Sequence, residues 1–97
     1  MEEREIQTET EVKEQESVSE YELVVMNDEI NTFDHVIINL IEVCGVDDEH
    51  AIQCTLLIHN FGEAVIVEGE RNELLVMEEG LNIVGIDAIV RKQENEK

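Results

Sequence analysis

The run Tyr21–Gly45, YELVVMNDEINTFDHVIINLIEVCG, changes its period halfway along, and that change decides the fold. YELVVM sets Tyr21, Leu23 and Val25 against Glu22, Val24 and Met26, the two-residue alternation of a strand buried mainly on one face. NDEINT then breaks the pattern. From Phe33 onward the apolar residues Phe33, Val36, Ile37, Leu40, Ile41 and Cys44 recur at three and four, which is a helical stripe. Asn31 or Thr32 can cap this helix, Asp34 lies near the positive end of its dipole, and Gly45 stops it. Between strand and helix stands the polar cluster Asn27, Asp28, Glu29, for which neither element has an evident use.

Downstream, Asp47, Asp48 and Glu49 open a second helix that continues through AIQCTLLIH and stops around Asn60 to Gly62. Ala51, Cys54, Thr55 and Ile58 share one of its faces, and Ile52, Leu56 and His59 a neighbouring one. EAVIVEG reads as a strand over 64–68. Leu74, Met77, Leu81 and Val84 make a third helical stripe over 70–84, ended by Gly85; Gly80 inside it costs about 1 kcal/mol relative to alanine. IDAIV, 86–90, alternates as a strand, and RKQENEK is expected to fray. The order is β-α-α-β-α-β, which predicts an α+β two-layer sandwich with a small three-stranded antiparallel sheet packed against three helices.

Composition narrows the function. The chain has 97 residues, 42% of them hydrophobic, and six basic residues against 25 acids give a formal charge of -19. One modest core is all that such a length can bury. Residues 1–19 are rich in Glu with only isolated apolar positions, and are expected to be a disordered acidic extension; 20–91 form the folded domain, and 92–97 a frayed tail. Nucleic-acid affinity comes largely from cations that neutralise phosphate, and so few are present that no nucleic-acid partner is expected. Anionic membrane surfaces are disfavoured for the same reason, whereas basic protein patches and free amino groups are favoured. Neither a spanning run nor the pattern of a signal peptide is visible, so a cytoplasmic location is expected.

Few enzymatic chemistries find their residues here. The sequence holds no phosphate-binding glycine motif and no HExxH, and the serines, Ser17 and Ser19, fall in the extension. Cys44 and Cys54 sit in apolar stripes with no basic neighbour, which reads as two reduced core thiols. His35, His50 and His59 fall on different elements or faces, so no metal set is expected. What remains is the acceptor-rich loop at the mouth of the first helix and His59 near the end of the second. If the two helices pack as an antiparallel hairpin, Asn27, Asp28 and His59 converge.

With those pieces in place the chain resembles the Clp protease adaptor family, ClpS. The likeness lies in a strand ending in Asn27-Asp28-Glu29, the NTFD helix start behind it, and the His of LLIHNFG, in order and at suitable spacing over about residues 21–90. GERNELLVMEEGLNIVGIDAIV is similar in length to a subgroup with a short third helix. The resemblance implies an adaptor, not an enzyme, without cofactor. Such adaptors capture proteins whose first residue is Phe, Leu, Trp or Tyr and hand them to a Clp AAA+ unfoldase of the ClpA or ClpC kind. It also implies roles for residues: Asn27, Asp28 and His59 as the binding set for the free α-amino group, and Glu29, Asn31, Phe33, Val36, Thr55 and Ile86 around the pocket for the first side chain. Phe33 stands where many relatives carry methionine and Thr55 where they carry a larger apolar residue, so one change narrows the pocket and the other widens it. The chain is expected to act as a monomer.

Other readings differ in class. A regulator could occupy the unfoldase without capturing any degron. The element order also resembles the C-terminal domain of the ribosomal stalk protein, whose lysine-rich Gly-Leu-Gly-Leu helix start is absent. A general acid/base pair of His59 and Asp28 would lack a nucleophile, cofactor motif or metal set behind it.

Overall fold

Tyr21–Met26 takes the centre of the sheet in the computed structural model, which describes residues 20–94. The acidic extension expected over 1–19 and the last three residues of the expected C-terminal tail lie outside the described residues. The elements run β1 (Tyr21–Met26), α1 (Phe33–Cys44), α2 (Asp48–Phe61), β2 (Glu63–Gly69), α3 (Arg71–Ile83) and β3 (Ala88–Lys92). The sheet order is β2-β1-β3 with both pairings antiparallel, so the fold is the expected α+β sandwich of three strands and three helices.

The helices stop and start where their chemistry dictates. Thr32 Oγ1 accepts the His35 N–H at 3.1 Å to cap α1, and Asp47 Oδ1 accepts the His50 N–H at 2.8 Å to cap α2. Gly45 ends α1 in the left-handed conformation at φ 74°, a backbone state that costs glycine little. The inward side chains of the sheet, Leu23, Val25, Ala64, Ile66 and Ala88, meet Leu40, Cys44, Ala51, Cys54, Ile58, Leu74 and Leu81 from the helices in one core. Gly80 explains itself here. A Cβ at that position would stand 2.9 Å from Val43 Cγ1, so the glycine lets α3 lie close against α1.

Two details depart from the sequence reading. β1 is not buried on one face only: Val24 is 0% exposed on the outer face, where its ladder partners are Val65 and Ile89. Central position in the sheet gives it apolar neighbours on both sides, and Arg91 crosses the same face to reach Glu22 at 2.7 Å and Glu63 at 3.4 Å. β3 is displaced toward the C-terminus, Ala88–Lys92 where 86–90 was expected. The Ile86 N–H is taken by Leu81 O at 3.0 Å in the closure of α3, which removes it from the ladder. At the far end Arg91 and Lys92 pair with Glu22 and Tyr21, and Gln93 N donates to Glu20 O, so the strand continues where fraying was expected.

Both outer strands have backbone groups occupied by helix side chains. On β3, Glu78 Oε2 accepts the Val90 N–H at 3.0 Å and Asn82 Oδ1 accepts the Ala88 N–H at 3.1 Å. On β2, His50 Nε2 donates to Ile66 O at 2.9 Å beside the irregularity that shifts register between Leu23 and Val24, and Cys54 Sγ lies 3.9 Å from Val65 O.

Candidate functional site

The loop after β1 is folded around one carboxylate. Asp28 Oδ1 accepts the backbone N–H groups of Ile30 and Asn31, both at 2.9 Å, and Oδ2 accepts Asn31 Nδ2 at 2.7 Å. An aspartate two residues ahead of a turn commonly mimics a backbone acceptor in this way. Asn31 uses its other amide hydrogen on Gly85 O at 2.8 Å, which ties the loop to the turn after α3. Upstream, Asn27 N donates to Gly62 O at 2.9 Å and Met26 N to Asp87 O at 3.0 Å. The loop is therefore pinned to the exits of both α2 and α3.

Beside it opens a cavity of about 280 Å³ lined by Val25, Met26, Asn27, Asp28, Glu29, Asn31, Phe33, Val36, Thr55, Ile58, His59 and Ile86. All nine residues singled out from the sequence border this one space. The antiparallel turn between α1 and α2 brings it about, since it sets the start of α1 against the end of α2. Phe33 and His59 then meet edge to face, with ring centroids 5.2 Å apart and an interplanar angle of 71°. Phe33 remains 44% exposed, at the cavity mouth.

Several residues take parts that spacing did not disclose. Thr55 is 3% exposed and its hydroxyl donates to Ala51 O at 2.8 Å. That bond uses the only proton the hydroxyl has, so toward the cavity its oxygen can accept but not donate. Asn31 is a brace between Asp28 and Gly85 as well as a wall. Ile86 lies in the turn before β3 and not within the strand. Val25, Met26 and Ile58 complete the lining and were missed; Val25 and Ile58 read as core from the inward face of β1 and the buried face of α2, and Met26 as a residue of the strand's other face.

Charge on the site is negative and firmly held. The backbone N–H of Asn31 is the largest influence lowering the Asp28 carboxyl below its ordinary value of 3.8; burial opposes it, while the Ile30 N–H, the Asn31 side chain and the nearby His35 add to it. Three hydrogen bonds already occupy Asp28, out of roughly four lone-pair directions on a carboxylate. One direction on Oδ2 remains for a ligand. Such a site suits a cation with directional donors flanked by an apolar group.

Other chemistry is poorly served. Burial pushes the Cys44 thiol up to about 11 and the Cys54 thiol upward too, so neither is a ready nucleophile. Among the described residues no group of three His, Cys, Asp or Glu side chains is placed to hold a metal ion, and no helix is long and apolar enough to cross a membrane. His35 and His50 spend their Nε2 atoms on the carbonyls of Val84 and Ile66.

Comparison with known proteins gives the chain its relatives. No curated protein matches it. Among solved structures, that of Agrobacterium tumefaciens ClpS2 bound to L-phenylalaninamide matches with a TM-score of 0.70 at 20% sequence identity, covering 77% of this chain and 98% of that one. At that identity the likeness is one of fold. The family model described as ATP-dependent Clp protease adaptor protein ClpS matches residues 16–83. That match spans well over half of the 97 residues, and the chain belongs to the ClpS family of ATP-dependent Clp protease adaptors.

Proposed function

We propose that this adaptor captures proteins by a free α-amino group together with a bulky hydrophobic first residue, and delivers them to a Clp AAA+ unfoldase. The reading rests on one observation: the acceptors Asn27, Asp28 and His59 border the same cavity of about 280 Å³ as the apolar groups of Phe33, Val36, Ile58 and Ile86. An ammonium group has donors and no acceptor, so it asks for a carboxylate, an amide oxygen and an unprotonated imidazole nitrogen. In this assignment Asp28 gives its one remaining lone-pair direction, and Asn27 and His59 supply the others. Each charge-assisted bond contributes about 1.5–3 kcal/mol. Ligand pockets commonly enclose about 300–1,000 Å³, so a cavity of this size accommodates a single side chain. Burying that side chain adds about 1.5–3 kcal/mol.

Neither half suffices alone. A peptide with an acetylated amine leaves the charge on Asp28 unanswered, and one beginning with alanine leaves the cavity unfilled. The solved ClpS2 holds L-phenylalaninamide, which carries both a free amine and a phenyl group, and this chemistry supports the same reading for the present chain. Glu29 at the edge adds negative charge, and the charge of -19 favours an unfoldase with a basic docking face.

Fluorescence anisotropy of labelled peptides beginning with Phe, Leu, Trp, Tyr or Ala, each beside its N-acetylated form, tests capture. Binding confined to the bulky, free-amine peptides is the expected result; equal binding of acetylated forms would refute the amine cradle. Delivery is tested by degradation of a reporter with such an N-terminus by a ClpA- or ClpC-type unfoldase and its peptidase. Removing residues 1–19 is expected to spare capture and slow degradation.

A further inference from the structure

The turn that carries Ile86 is closed in a way that leaves two carbonyls unspent. At the end of α3, Gly85 N donates to Asn82 O at 3.0 Å and Ile86 N to Leu81 O at 3.0 Å, with Gly85 at φ 86°. This is the paired closure in which a left-handed glycine follows the helix and the next residue, here Ile86, packs back on it. The oxygens of Val84 and Gly85 gain nothing from it. Both are met by side chains near the start of α1, four residues apart: Asn31 Nδ2 on Gly85 O at 2.8 Å and His35 Nε2 on Val84 O at 2.9 Å. A carbonyl has no proton, so the imidazole nitrogen is the donor.

The two anchors have different neighbours. Asn31 is bonded to Asp28, so its removal disturbs the amine-binding loop and the turn together. His35 does not line the cavity; through Val84 it holds the turn, and the turn presents Ile86. Ile86 is 2% exposed and lines the cavity.

We propose that His35 is a positioning residue that sets selectivity among first residues, by fixing the Val84–Gly85 turn and so the place of Ile86 in the cavity wall. This rests on the capture function proposed above. A wall fixed by two anchors rejects side chains of the wrong shape; a wall on one anchor yields to them. The Leu81–Ile86 hydrogen bond keeps the turn closed without His35, so the expected consequence is a graded loss of discrimination and not a loss of binding.

The test compares the full chain with His35→Leu, which cannot donate, and His35→Gln, whose amide can reach and donate to the same carbonyl. For each, affinities are measured for free-amine and acetylated peptides beginning with Phe, Leu, Trp and Tyr. Losing one hydrogen bond to a carbonyl corresponds to about five-fold. His35→Leu is therefore expected to compress the ratio between the best and worst bulky first residues about five-fold while the preference for a free amine stays as it was. His35→Gln is expected to restore the ratio. An unchanged ratio in His35→Leu overturns the proposal, as does a ratio compressed equally in both variants, which would mark general loosening, or a loss of the free-amine preference, which would put His35 in the cradle. If the unaltered chain binds none of these peptides, the capture reading itself fails and the selectivity role falls with it. Amide exchange at Ile86 separates the cases without any peptide: it quickens in His35→Leu alone if the anchor holds the turn.

Discussion

The two sides of the cavity are held by different forces. The loop Asn27–Asn31 is largely in water and keeps its shape through hydrogen bonds to one carboxylate, three of them spanning no more than three residues. The apolar part, Val25, Ile58 and Ile86, is buried and keeps its place by packing with the rest of the core. A rim made of local polar bonds answers to charge and pH. A floor made of packed side chains answers to volume. The difference means that the polar and apolar halves of the cavity can be damaged separately, and substitutions in each half show how far that separation goes.

The largest effect is expected from the floor. Ile86→Ala removes a buried side chain in the core, which typically costs about 2–5 kcal/mol of stability, read by urea denaturation. Among the peptides it should widen the choice of first residues while acetylation still abolishes capture. Next comes Asp28→Asn, which keeps an oxygen for the backbone N–H groups of Ile30 and Asn31 but removes the charge and the acceptor of Asn31 Nδ2. Loss of a charge-assisted bond of about 1.5–3 kcal/mol corresponds to a weakening of about ten- to a hundred-fold, measured by anisotropy. Its thermal midpoint should fall far less than that of Ile86→Ala; an equal fall would mean that rim and floor are one unit.

Gly80→Ala tests packing away from the site. In an open helix it would gain about 1 kcal/mol, but the new Cβ would meet Val43 Cγ1 at 2.9 Å. Valine is short and stiff, so net destabilisation is expected, with capture unaffected in the folded protein. The smallest effect belongs to pH. Because the Asp28 carboxyl is lowered from 3.8 in the folded chain, its contribution to the loop is present above that value and is lost only as pH falls below it, through the folded value.

Much of this was legible from residue order. Two-residue and three-to-four-residue spacing gave the elements and their sequence, and the antiparallel link between α1 and α2 was enough to bring His59 toward Asn27 and Asp28. What stayed hidden was long-range or backbone-borne. The bond from Asn31 to Gly85 spans 54 residues, and the acceptor is a carbonyl that every residue possesses. β3 was placed early because Ile86, Ala88 and Val90 do alternate in phase; only the backbone N–H of Ile86, spent on Leu81, says that the strand has not begun. Gly80 looked like a weakness of α3, since its reason lies on another helix.

A three-stranded sheet ordinarily offers two raw borders on which any extended polypeptide can lay itself down. Here Glu78 and Asn82 stand along one border, and His50 and Cys54 along the other, like side chains impersonating a fourth and fifth strand. Those backbone groups are spent inside the fold, so an extended segment arriving at either border finds fewer partners for its own backbone.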